Sequence, residues 1–407
     1  MIKPKLRFKA DDGSQFPDWE EKKLNEIAVR VTRKNKDNVT DIPLTISSAD
    51  GLIDQRNFFN KVIASKDMSG YYLLKNGEFA YNKSYSKGYD FGSIKRLDLY
   101  DEGALSTLYI CFELNKNENS DFYQKYFDSL SWYPELQKIC AEGARNHGLL
   151  NVPTNDFFQL KLCVPSSDKE QQKIAEFLST IDTVIAKQKE TVSAWEERKK
   201  GVMQKLFSQE VRFKADDESD FPEWEEKKLG EVMSVKDVKQ IPTEEAPLMA
   251  FIAYQGVAEK GDRYDRSFLV KSDDKKYKRT DFNDFIYSSN NLDVGSIGLN
   301  KYGSAVISVV YEIFTFKDGF NPDCMNLLIQ QPRIMSSIIR YRQGCLYGQY
   351  KIHSRDFLNV LISAPCLAEQ QKIADCLSAL DEVIEKQKAT LAAWEELKKG
   401  LLQQMFV

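Results

Sequence analysis

The sequence predicts an α+β protein in which two mixed α/β domains are separated by two long helices. The helices are expected to form an antiparallel coiled coil, and the whole to be a pseudo-two-fold internal duplication. Three observations predict it. The stretch EQQKIAEFLSTIDTVIAKQKETVSAWEERKKGVMQKLF (170–207) returns as EQQKIADCLSALDEVIEKQKATLAAWEELKKGLLQQMF (369–406), without a gap and offset by 199 residues. LRFKADDGSQFPDWEEKKLNEIA (6–28) returns as VRFKADDESDFPEWEEKKLGEVM (211–233), offset by 205. Between them lie two unlike regions patterned as short strands and turns. Repeats this regular define the architecture before any single residue does. The expected parts are a first domain over 1–165, a helix over 166–210, a second domain over 211–365 and a helix over 366–407.

In chain order, the lead-in repeat comes first. Phe16-Pro17 and Phe221-Pro222 read as extended backbone, because proline fixes φ and disfavours helix before it. Trp19 and Trp224 read as anchors for this segment. In the first unlike region, Tyr71–Leu74, Phe79–Tyr81 and Leu108–Phe112 sit between Gly, Asn and Asp clusters, as strands do. Phe285–Tyr287, Ala305–Val310 and Tyr311–Phe314 do the same in the second. Helical stretches are expected near Ser120–Cys140 and Met325–Tyr341. Strand-like runs should follow at Asp156–Leu160 leading to Pro165, and at Asp356–Val360 leading to Pro365. Ser167 with Glu170 three residues on reads as a capping box, which Cys366-Leu367-Ala368 lacks.

Each long helix carries a heptad seam. A 4-3 spacing picks out Ile174, Leu178, Ile181, Ile185, Val192 and Trp195 in the first copy. In the second it picks out Ile373, Leu377, Leu380, Ile384, Leu391 and Trp394. Such a seam fits a helix lying along one partner helix. Gln188 and Gln387 interrupt both seams at the same step, where a polar pair fixes register. Gly201 and Gly400 recur despite their cost in a helix, which points to close backbone approach. Two amphipathic helices packed separately on the two domains are the alternative.

With 407 residues the chain has room for two or three domains. Its seven cysteines include no C-x-x-C pair, which suits reduced thiols in a cytoplasmic protein better than a disulfide or zinc framework. No run of 18 apolar residues is present to cross a membrane. The net charge of −4, taken alone, opposes a polyanionic partner. Its location matters more. Residues 29–165 hold 17 basic and 17 acidic residues and 233–365 hold 17 and 15, so the deficit sits in the repeats.

Little is present to build an enzyme from. The two histidines, His147 and His353, belong to no H-E-x-x-H spacing. There is no P-loop, and Gly295–Gly298 is too short for a dinucleotide fingerprint. What the unlike regions do carry is a mixture of basic, aromatic and amide side chains in expected loops. In the first these are Lys83, Tyr85, Lys87, Lys95, Arg96, Arg145, Asn146 and His147. In the second they are Lys275, Lys276, Lys278, Arg279, Asn290, Asn291, Arg342, Tyr347 and Gln349. Lys and Tyr supply phosphate contacts, and Arg, Asn and Gln offer the forked geometry that reads purine edges. These are the candidate DNA-binding residues; catalytic, cofactor and metal residues are not expected.

The paired F-P-x-W-E-E-K-K-L segments (16–24 and 221–229), the E-Q-Q-K-I-A openings (170–175 and 369–374) and the A-W-E-E-x-K-K-G tails (194–201 and 393–400) resemble the specificity (S) subunit of type I restriction–modification systems. The resemblance covers essentially the whole chain. It implies two target-recognition domains, each reading one part of a bipartite, asymmetric double-stranded DNA site, and helices that set the spacing. It also implies two modification (methyltransferase) subunits docked on those helices and carrying S-adenosylmethionine. Restriction subunits, which use ATP and Mg, would join them. A coiled-coil scaffold that binds protein rather than DNA is the alternative, and a freestanding DNA-modifying enzyme is disfavoured by the missing motifs.

Overall fold

The computed structural model describes residues 4–58, 65–140, 150–259, 275–292, 295–346 and 349–406. Two compact units are present, Met1–Thr191 with Gln387–Val407, and Val192–Lys386. The first long helix, Asp168–Phe207, gives its opening part to the first unit and its end to the second. The second, Leu367–Met405, does the reverse.

In the first unit the lead-in strand Trp19–Lys23 pairs antiparallel with the exit strand Lys161–Pro165, so the domain begins and ends side by side. A four-stranded antiparallel sheet follows in the spatial order Ala28–Arg30, Ile110–Leu114, Phe79–Asn82, Ser93–Arg96. Two ribbons flank it, Leu44–Ser47 with Gly51–Asp54 and Tyr72–Lys75 with Glu102–Leu105. The aromatic residues that made these segments look like strands fill the core. Phe79 stacks on Phe112 at 5.4 Å and Tyr81 on Phe157 at 4.9 Å, with Trp132 fully buried among them. Offset-stacked rings of this kind add to plain area burial.

The second unit repeats the plan with other residues. Glu225–Lys228 pairs with Leu361–Ala364. The four-stranded sheet runs Met233–Val235, Glu312–Phe316, Phe285–Tyr287, Ile297–Leu299. A hairpin of Gln343–Leu346 with Gln349–Lys351 lies between the helix Pro332–Ile339 and the exit strand.

Four stretches depart from the local sequence pattern. The stretch 120–140 is two helices, Ser120–Ser129 and Tyr133–Ile139, because Leu130 turns left-handed at φ 63° and Pro134 opens the second. Likewise 325–341 is Pro322–Ile329 and Pro332–Ile339, broken by Pro332. Asp156–Leu160 and Asp356–Val360 are not strands. Each begins inside a single helical turn, Thr154–Phe157 and Ser354–Phe357, that swings a phenylalanine into the core before the exit strand starts.

The E-Q-Q-K-I-A openings are clamps rather than caps. Glu170 is fully buried, and its carboxylate accepts from Arg7 Nε (2.8 Å), Arg7 Nη2 (2.7 Å) and Trp19 Nε1 (3.3 Å). It therefore ties the lead-in repeat to the helix instead of reaching back to Ser167. In the second unit Glu369 accepts from Arg212 Nε (3.1 Å), Arg212 Nη2 (2.8 Å) and Trp224 Nε1 (3.0 Å). Gln171 and Gln370 donate to the carbonyls of Pro165 and Pro365, at 2.9 and 2.8 Å. The second helix start is thus held as firmly as the first without a capping hydroxyl.

The helices pair antiparallel in each unit. In the first, Asp182 meets Lys398 at 2.6 Å, and Gln188 Nε2 donates to Gln387 Oε1 at 2.7 Å. Burial opposes the charge on Asp182, but Lys398 and Lys125 outweigh it and hold its pKa below the ordinary value. Ile174 and Leu178 pack with Leu402, Met405 and Phe406, and Ile181 and Ile185 are buried beyond them. In the second unit Lys199 meets Asp381 at 2.5 Å, and Leu206 packs with Ile373 and Leu377. Val192 and Ile384 are buried, while Trp195, Leu380, Leu391 and Trp394 are half-buried.

Gly201 and Gly400 do not mark close approach. A Cβ at either position would meet nothing within 4 Å. Their replacement by alanine should stabilise the helices by about 1 kcal/mol each, read as a rise in the urea midpoint. No gain at either site would mean that the glycines serve the helix backbone in another way.

Candidate nucleic-acid interface

In both units the same three connections converge. In the first, the hairpin tip at 48–50 meets the 83–92 loop through Ser48 Oγ, 2.9 Å from Ser86 Oγ and 3.1 Å from Ser93 Oγ. The third connection arrives where Leu150 N–H donates to Lys83 O (2.9 Å) and Lys83 Nζ to Val152 O (3.2 Å). In the second unit the tip at 253–255 meets the 288–296 loop where Tyr254 N–H donates to Gly295 O at 3.1 Å. Tyr287 Oη and Ser289 Oγ both donate to Ile352 O, at 3.0 and 3.2 Å, bringing in the third connection.

The structure sorts the candidate residues by their commitments. Tyr85 and Lys87 are exposed on the converging loop, and Lys83 is half-buried beside them. Burial and the nearby Arg30 lower the Lys83 pKa. Asn290 and Asn291 are exposed on the matching loop. Lys275 and Lys276 are exposed, Lys275 Nζ lying 5.4 Å from the Tyr277 ring, and Arg342 lies 5.1 Å from the Tyr350 ring. Arg145, Asn146, His147 and Tyr347 lie outside the described residues, as does the side chain of Gln349.

Four basic residues are paired within the fold, three of them largely enclosed and Arg279 at the surface. Lys95 binds Asp128 at 2.6 Å. Arg96 binds Asp98 and Asp121, each at 2.7 Å, and so fastens its strand to the helix Ser120–Ser129. Arg96 sits opposite Phe79, at the far end of the strand pair from the 83–92 loop. Lys278 is buried with Glu312 at 3.1 Å, and Arg279 binds Asp281 at 3.0 Å. The local signal for two of them was the R-x-D spacing of Arg96/Asp98 and Arg279/Asp281, which sets an aspartate just past the strand end within reach of the arginine. No group of three or more candidate metal ligands exists among the described residues. Burial pushes the Cys111 and Cys324 thiols up to about 12, far from nucleophilic range.

The two units thus repeat one plan and differ in the side chains their converging loops carry. Residues 222–393 match the family model described as the type I restriction modification DNA specificity domain. The protein described as the MjaX type I restriction enzyme specificity subunit of Methanocaldococcus jannaschii is 24% identical, over 97% of this chain and 94% of its own. The MjaVIII specificity subunit of the same organism is 24% identical over 77% and 76%. Among solved structures, the type I restriction–modification S subunit of M. genitalium shares the fold, with a TM-score of 0.52 and 13% identity over 100% and 99% of the two chains. A chain from a structure on complex assembly and conformational transition of a type I system has a TM-score of 0.55 and 16% identity, over 96% and 98%. Residues 222–393 thus belong to the type I restriction modification DNA specificity domain family, and the chain along most of its length is similar to specificity subunits of type I restriction enzymes.

Proposed function

We propose that residues 1–165 and 211–365 are target-recognition domains, each reading one part of an asymmetric bipartite DNA site. The helices 166–210 and 366–407 act as the ruler between the parts and dock two modification subunits. S-adenosylmethionine belongs to those partners, ATP and Mg to the restriction subunits, and the assembly works in the cytoplasm. The observation that carries this reading is the convergence of the same three connections in both units, bearing different side chains. A shared frame with unlike loops is what two readers of unlike sequences require. The half-sites would fall about one helical turn (~34 Å) or more apart.

Exposed and committed lysines separate the reading from a purely structural role. Lys87→Ala and Lys276→Ala should each weaken DNA binding by the full subunit complex and reduce the salt slope of log K by about 1. Lys95→Ala should leave that slope alone and lower stability by about 1.5–3 kcal/mol, the scale of a lost hydrogen bond to a charged group. Unchanged slopes for both exposed lysines would remove these loops from the DNA.

A further inference from the structure

Sequence reasoning passed over Tyr254. It stands in the turn between the strands Ala250–Ile252 and Gly256–Ala258, whose register pairs Ile252 with Gly256. Its side chain is 86% exposed, the most exposed large apolar side chain among the described residues. Its backbone is left-handed at φ 62°. An aromatic residue is rarely found there and stays only when its surroundings hold it. What holds it is Gly295. Tyr254 N–H donates to Gly295 O, and a Cβ on Gly295 would stand 2.3 Å from the tyrosine ring. Gly295 is itself left-handed at φ 80°. One face of the ring thus rests on a bare backbone shelf and the rest is offered outward, beside the loop of Asn290 and Asn291.

The first unit builds the same hairpin without the ring. Its tip carries Ala49 at the position 205 residues earlier, between Leu44–Ser47 and Gly51–Asp54. A strained, exposed aromatic on one of two otherwise matching hairpins is a difference in what each hairpin touches, not in how it folds. A tyrosine at such a tip presents a rigid apolar surface at small cost in side-chain freedom.

We propose that Tyr254 is a specificity-determining residue of the second recognition domain, packing its ring against the apolar edge of a base pair in that half-site. In the major groove the edge that suits an aromatic face is the thymine C5-methyl. This rests on the reading of the converging loops as the DNA surface. Gly295 acts as a positioning residue, since only glycine lets the ring lie where it does.

The test compares wild type, Tyr254→Ala, Tyr254→Phe and Gly295→Ala, each co-expressed with the modification subunit. The methylated motif is read by sequencing, and affinity is measured on a duplex carrying the wild-type motif. Tyr254→Ala should relax one position in the second part of the motif, leave the first part unchanged and weaken binding about 5- to 100-fold, the scale of one lost aromatic contact. Tyr254→Phe should behave as wild type. Gly295→Ala, which keeps the ring but displaces it, should follow Tyr254→Ala. A wild-type motif retained in full by Tyr254→Ala, with equal affinity, overturns the proposal. So does Tyr254→Ala that binds DNA normally but loses the modification subunit, which would make the ring a protein contact. Absence of any motif in wild type would instead strike the DNA-reading function itself.

Discussion

Arg7→Ala is expected to destabilise the first unit by about 3–5 kcal/mol, far more than an ordinary exposed arginine would. The carboxylate it serves, Glu170, is fully buried, whereas the Arg7 side chain keeps only 13% of its surface. Removing the guanidinium leaves a buried anion with one weak donor, Trp19 Nε1 at 3.3 Å. Breaking a buried ion pair from one side costs on that scale because the remaining charge has lost both water and partner. Arg212→Ala should do the same in the second unit, where Glu369 is equally enclosed. Urea denaturation gives the magnitude, and amide exchange along Trp19–Lys23 and Glu225–Lys228 shows which unit opened. A loss under 1 kcal/mol for both variants would mean that the clamp is ornamental. Replacing both partners with apolar residues of similar size should cost less than removing the arginine alone.

Phe406→Ala should cost about 3–5 kcal/mol and Phe207→Ala distinctly less, although the two rings occupy equivalent places in the duplication. Phe406 is 4% exposed and lies against Trp19, Phe122 and Tyr126, with centroids at 6.4, 5.9 and 5.7 Å. Counting from the capping asparagines Asn119 and Asn321, Phe122 and Tyr126 correspond to Cys324 and Leu328. The smaller pair leaves Phe207 half-buried at the edge of a cavity of about 710 Å³, lined also by Trp224, Leu328 and Ile334. A ring with fewer neighbours loses less when truncated, since both the transfer and the cavity contributions shrink. Equal losses for the two variants would show that the cavity closes around Phe207 in solution.

The architecture was legible because duplication writes it twice. An apolar seam repeated at a constant offset, and two tryptophans at matched positions, leave few folds open. Side-chain roles inside the repeats were less legible. Glu170 sits at capping-box spacing, and only the return of Arg7 and Trp19 from 163 and 151 residues away shows where its charge goes. Gly201 and Gly400 signalled a contact that the helix pair does not make. In the candidate interface, composition could not separate Lys87, which is exposed, from Lys95, whose partner Asp128 comes from a helix 33 residues on. Tyr254 was missed because its significance lies in a backbone angle and a glycine 41 positions away, and neither shows in local pattern.

The central claim is that two unlike readers share one ruler, and modified-base sequencing of DNA from cells co-expressing this chain with its modification subunit tests it most directly. The account predicts an asymmetric split motif with adenine methylated in both parts, and exchange of residues 29–165 for another reader altering one part alone. A stable complex with the modification subunit that leaves no methylated motif would contradict it.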